Sequence, residues 1–160
     1  MNKLLSIIAM VFAVSCYSQQ QYPTDSVTVS TNNPVDWEPY VFNADFKIEY
    51  KFVKCDPDIG YEKEMVLLKI TNRTRIDFTF NWHTILYYSG SKECKTCDFE
   101  DEYSYNVSVP PLQSVEGSCA IYSDYQLKIP SKFVDAKFKS GEKLVSFELR
   151  DLTINQLQVD

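Results

Sequence analysis

The chain is short of the residues on which most catalytic machinery depends. It has one histidine, His83, among 160 residues, so any triad or acid–base pair built on imidazole must use it. Its four glycines, Gly60, Gly90, Gly117 and Gly141, are scattered among turns. No glycine-rich run can cradle a phosphate, and no Gly-x-Ser-x-Gly elbow presents a serine. Basic side chains are the minority, 16 Lys and Arg against 22 Asp and Glu, for a net charge of −6. That balance disfavours nucleic acid and anionic lipid as partners, since neither is drawn to an acidic surface. Beyond the first residues no stretch is apolar over the roughly 20 residues that a spanning helix needs, so no transmembrane segment is expected once the N-terminus is removed.

The N-terminus itself reads as an export leader. Met1-Asn2-Lys3 carries one positive charge, and Leu4 to Val14 form an apolar run too short to span a bilayer. Residues 1–18 are therefore expected to be a signal peptide. Two processing routes compete. A simple cut before Gln19 is supported by the small residues around Cys16-Tyr17-Ser18. Alternatively, Ala13-Val14-Ser15-Cys16 resembles a bacterial lipobox, in which Cys16 would carry lipid and anchor the chain to a membrane surface. The Cys-Tyr-Ser-Gln-Gln-Gln junction is similar to leaders of Gram-negative bacteria whose mature chains begin with Gln, and we favour the simple cut. Either route places the protein outside the cytoplasm, in the periplasm, at the outer membrane or in the medium.

The remainder is large enough for one domain with a real core, and its composition, 44% hydrophobic and 14% aromatic, is globular. Residues 19–33 are polar and aperiodic, and are expected to form a flexible segment with at most a short edge strand at Val27-Thr28-Val29. The single domain then runs over 34–160. Phe46, Ile48, Tyr50 and Phe52 alternate with Lys47, Glu49 and Lys51, the period of two of a half-buried strand. Met65 to Ile70 is nearly continuous and suits a strand buried on both sides. Ile76, Phe78, Phe80 and Trp82 share one face, with Asp77, Thr79, Asn81 and His83 on the other. Tyr103, Tyr105, Val107 and Val109 alternate until Pro110-Pro111 ends the strand. Cys119 to Tyr122 and Tyr125 to Ile129 give short segments, and Val145, Phe147 and Leu149 begin the last strand. The expected core is Ile48, Phe52, Leu68, Ile70, Phe78, Phe80, Trp82, Phe147 and Leu149.

Seven to nine strands without an amphipathic helix indicate an all-β, antiparallel two-sheet sandwich, with a closed barrel as the alternative. The strand rhythm and the Leu68-Lys69-Ile70-Thr71-Asn72-Arg73-Thr74 strand-to-turn segment resemble small immunoglobulin-like or fibronectin-like domains of exported bacterial proteins. Cys55, Trp82 and Cys119 loosely meet the immunoglobulin arrangement of two cysteines around a tryptophan. The resemblance implies a fold and no particular activity.

Four cysteines remain after the leader: Cys55, Cys94, Cys97 and Cys119. In an exported chain they are expected as disulfides, Cys94 with Cys97 and Cys55 with Cys119. A thiol-redox role for the CxxC is disfavoured because Asp98, Glu100, Asp101 and Glu102 would raise a thiol pKa. Zinc is disfavoured because only one cysteine pair is close, and no metal or other cofactor is expected. The acidic run, and Asp56 with Asp58, could offer oxygens to calcium, but the spacing is not that of an EF-hand. Asn72-Arg73-Thr74 and Asn106-Val107-Ser108 match N-glycosylation triplets, discounted because the leader looks bacterial. Asp25-Ser26-Val27 resembles a bacterial O-glycosylation acceptor. Among the aromatics, Trp37, Tyr87 and Tyr88 are the candidates for an exposed binding surface. The expectation is a non-catalytic exported or envelope-associated domain that binds a protein or surface glycan. The alternative is a small exported enzyme, thiol-disulfide or hydrolytic.

Overall fold

The computed structural model describes residues 20–30, 32–55, 63–90, 93–120, 124–133 and 142–156. The leader with Cys16, the carboxylates Asp56 and Asp58, and Gly60 and Gly141 lie outside these residues. The described chain forms ten strands in two antiparallel five-stranded sheets. The first sheet contains β1 (Gln20–Gln21), β2 (Val27–Thr28), β6 (Phe78–Tyr88), β7 (Ser104–Val109) and β10 (Leu144–Gln156), in the order β1-β10-β6-β7, with β2 also on β10. The second contains β3 (Glu38–Phe42), β4 (Phe46–Cys55), β5 (Lys63–Asn72), β8 (Ser114–Glu116) and β9 (Lys128–Phe133), in the order β3-β4-β5-β8, with β9 also on β5.

The expected all-β sandwich is thus present, and all nine expected core residues are buried between the sheets. Alternation explains why. In β6, Phe78, Phe80 and Trp82 face inward while Thr79, Asn81 and His83 face out, as a period of two requires. A chain of rings crosses the interior, with centroids of Tyr22 and Phe46 4.8 Å apart, Phe46 and Phe80 5.3 Å, and Phe80 and Phe78 6.0 Å.

Several expectations need correction. Residues 20–29 are not a loose segment: β1 and β2 both pair with β10, and Tyr22, Val27 and Val29 pack against the core. Strands of two residues leave no period to read, and what holds them is the open edge of β10. Ile76 does not continue the inward face of β6. It precedes the strand, is 42% exposed, and its carbonyl accepts from the Asn72 amide. That amide is buried and also bonds Val109 O and Thr74, so Asn72 organises the turn and cannot accept a glycan in the folded state. Val145 is also exposed, because an irregularity in register between Leu144 and Ser146 turns it outward. Tyr103 ends a four-residue helix, α1 (Glu100–Tyr103), rather than opening a strand. Cys119 and Ala120 form no strand, and Ile121 and Tyr122 lie outside the described residues.

The edge of β10 has a gap between β1 and β2, and Tyr40 fills it. Its hydroxyl accepts from Leu149 N and donates to Asp25 O, both at 2.9 Å, so one side chain from the second sheet satisfies backbone of the first. Burial pushes the Tyr40 pKa from 10.0 up to about 12, and does the same to Tyr88. The neutral form is the one the fold favours. Stability from these phenols is therefore complete below pH 10 and lost as pH rises through about 12. Urea midpoints should fall across that interval. Tyr40→Phe should lose about 1–2 kcal/mol near neutral pH, because Leu149 N–H loses its acceptor. The variant should then show a shallower alkaline fall than the parent. Parallel pH profiles for the two proteins would contradict this assignment.

Candidate functional site

The outer face of the first sheet holds the clearest concentration of polar side chains. Register places Ser104 of β7, His83 of β6 and Arg150 of β10 in one row, and Asn106, Asn81 and Thr153 in the next. Between these rows β10 carries an extra residue, a bulge between Arg150 and Thr153. Asp151 takes it up with a φ of 54°, the left-handed region that costs most L-residues energy but that Asp tolerates better than most. Leu152 is thereby returned to the core, while Arg150 and Asp151 both remain on the rim.

The long connection from β6 to β7 roofs one end of this face. β7 pairs with β6 only as far as His83, so the backbone edge of β6 beyond it needs other partners. Thr96 supplies them. Its hydroxyl donates to Thr84 O at 2.8 Å and accepts from Leu86 N at 3.0 Å, and Lys95 N donates to Leu86 O at 2.9 Å. Thr96 is 1% exposed. The Cys94–Cys97 disulfide, Cα atoms 5.6 Å apart, closes the tight loop that holds Thr96 in this position. Ile85, which alternation places on the outer face, is buried beneath the loop.

The result is a pocket of about 420 Å³ lined by Asn81, Trp82, His83, Ile85, Cys97, Ser104, Tyr105, Asn106, Arg150 and Asp151. Its wall is partly fixed by internal bonds. Asn106 Nδ2 donates to Asn81 Oδ1 at 2.5 Å, His83 Nδ1 lies 3.4 Å from Ser104 Oγ, and Gln21 Nε2 donates to Asp151 Oδ1 at 3.2 Å. Arg150 is paired with Glu148 at 3.3 Å, and this hydrogen-bonded carboxylate raises the guanidinium pKa, with a smaller contribution from Tyr87. Two atoms, Asn81 Nδ2 and His83 Nε2, are buried without a hydrogen-bond partner among the described residues. A buried polar atom left in that state costs about 1–3 kcal/mol.

The residues singled out from sequence do not gather in one place. Trp37 lies against the second sheet, where Lys51 Nζ stands 4.4 Å from the centre of its ring and Lys69 Nζ 5.5 Å, so its face is already covered by cations. Tyr88 belongs to the margin of the core and donates to Pro130 O at 2.8 Å. Tyr87, half-buried on the outer face of β6, adjoins Arg150 and is the one aromatic candidate near the pocket. Cys55 is bonded to Cys119, Cα atoms 5.3 Å apart, away from the pocket lining. Asp98, Asp101 and Glu102 line a separate hollow of about 480 Å³ with Cys97 and Phe99. Among the described residues no group of three or more His, Cys, Asp or Glu could hold a metal ion. His83 and Asp101 line different hollows, and Glu116 stands on the second sheet beside Lys69.

In the sequence Asn81 and Arg150 are only polar positions in alternating strands, Asn106 stands out only through a discounted glycosylation triplet, and Asp151 carries no local signal. Register and the bulge bring them together. The fold and this site define a β-sandwich with a polar recess on one outer face. Set against protein-family models, curated proteins and solved structures, the chain finds no match. No helix among the described residues is long and apolar enough to cross a membrane.

Proposed function

We propose that this chain is a non-catalytic, exported or envelope-associated binding domain, and that the outer-face pocket of the first sheet is its recognition site for a polar group borne by a protein or a surface glycan. The observation that carries the reading is the pair of unpartnered buried atoms, Asn81 Nδ2 and His83 Nε2, in the wall of a concave site. Export rests on the leader and the immunoglobulin-like resemblance on strand rhythm and two-sheet packing.

The non-catalytic part is supported by how the chemical groups are placed. His83 approaches Ser104 through one nitrogen at 3.4 Å, and among the described residues its other nitrogen has no carboxylate to orient it. The Cys94–Cys97 pair has a structural task, presenting Thr96 to the edge of β6, which accounts for the CxxC without redox chemistry. A small exported enzyme is the competing class.

A nuclear magnetic resonance screen tests the proposal. A library of small carboxylates, amines, amides and polyols would be titrated into isotopically labelled protein. The binding members are expected to shift the side-chain amide signals of Asn81 and Asn106 and the Arg150 Nε–H signal. Hits confined to the Trp37 face of the second sheet, or turnover of a library member that His83→Ala abolishes, would overturn it.

A further inference from the structure

We infer that the pocket accepts an uncharged sugar ring, a reading that rests on the pocket being the recognition site. The first reason is charge. Arg150, the one full cation among the described residues of the wall, is already bonded to Glu148 through two contacts at 3.3 and 3.4 Å, and Asp151 adds a second carboxylate at the rim. A carboxylate or phosphate ligand would have to displace Glu148 and then face Asp151, so anions are disfavoured.

The second reason is the mixture of donors and acceptors. Asn81 Nδ2 is a donor in need of an acceptor, whereas the Asp151 carboxylate offers acceptor oxygens. An ammonium group only donates and would leave Asn81 unmatched. A hydroxyl donates to one neighbour and accepts from the next, and a sugar ring carries several at fixed angles. The planar amides of Asn81 and Asn106, locked to each other across β6 and β7, present such alternating partners without losing much freedom on binding.

Size and rigidity complete the case. About 420 Å³ lies toward the lower end of the roughly 300–1,000 Å³ typical of small-molecule sites, which suits one ring or the terminal residue of a chain. The Asp151 carboxylate is aimed by a backbone conformation that few L-residues adopt, and the Gln21 side chain holds it there.

The test is a titration of the purified protein with glucose, galactose, mannose and N-acetylglucosamine, and with the corresponding uronic acids and amino sugars. At least one neutral sugar should shift the Asn81 and Asn106 side-chain amide signals, and its charged counterparts should bind about tenfold more weakly or worse. Asp151→Gly removes the carboxylate and relieves the left-handed backbone, so it should fold at least as well as the parent yet bind about tenfold more weakly. His83→Ala should weaken binding similarly, while Trp37→Ala should leave it unchanged. Preference for a uronic acid or an amino sugar would overturn the inference. So would binding that Asp151→Gly does not affect. If no sugar binds but other small polar molecules shift the same signals, the sugar assignment falls and the pocket stands as the recognition site. If nothing binds there, both fall.

Discussion

Replacing Cys55 and Cys119 together with alanine should lower the unfolding free energy by about 4 kcal/mol. The bond joins residues 64 apart in sequence, so cutting it releases a large loop in the unfolded chain. For a domain whose total stability is on the order of 5–15 kcal/mol, that is a large fraction. The native-state side is also specific. Cys55 ends β4, while Cys119 lies in the segment that leaves β8 and returns through a 3-10 turn at Tyr125–Leu127 to start β9. That segment is tightly apposed to its own return. Gly117 N donates to Leu68 O at 2.9 Å, and a Cβ at Gly117 would clash with the Leu127 carbonyl. Leu127 is buried in the core, and Gln126 Oε1 accepts from Asn106 N on the free edge of β7, so the same excursion closes the gap between the two sheets. By contrast the Cys94–Cys97 bond spans three positions, and its loss should remove at most about 2 kcal/mol through chain entropy. Urea unfolding of the two double variants checks the order. A smaller loss for the Cys55–Cys119 pair than for the Cys94–Cys97 pair would contradict it.

Phe80→Ala should destabilise the domain by about 3–5 kcal/mol. Phe80 is fully buried on β6, the strand at the centre of the first sheet, and its ring lies edge-on to Phe46 of the second sheet and to Phe78. Alanine would remove ring contacts to both layers and leave a cavity between two rigid sheets, which cannot close without shifting paired strands. Phe80→Leu keeps most of the volume and should lose appreciably less. Thermal unfolding followed by calorimetry reads both. An alanine variant within about 1 kcal/mol of the parent would mean that Phe80 does not hold the sheets together.

How much of this was legible in the sequence depended on whether a strand had one wet face. β4, β6, β7 and much of β10 lie with one face on the core and one outward, so their side chains alternate and the expected core residues follow directly. β3 escaped notice because it is an edge strand with Pro39 inside it, an irregular register, and Phe42 at 64% exposure. β1 escaped because two residues cannot display a period, whereas β2 falls on the short edge strand expected at Val27-Thr28-Val29. Ile76 and Val145 extended a true alternation past the point where a turn and a bulge end it, something composition does not mark. The pocket was the least legible part. Its Asn81–Asn106 bond joins residues 25 apart, and its position on the sheet depends on the extra residue at Asp151. His83 was visible as a lone imidazole on a polar strand face, but its neighbours come from β7 and β10, and only pairing register identifies them.

The most direct measurement is a crystal structure of the purified protein grown with the tightest-binding small polar molecule from the resonance screen. That molecule is expected intact on the outer face of the first sheet, hydrogen-bonded to Asn81 or His83 and bordered by Arg150 and Asp151. Density for the molecule on the Trp37 face of the second sheet, or for a cleaved product beside His83 and Ser104, would contradict it.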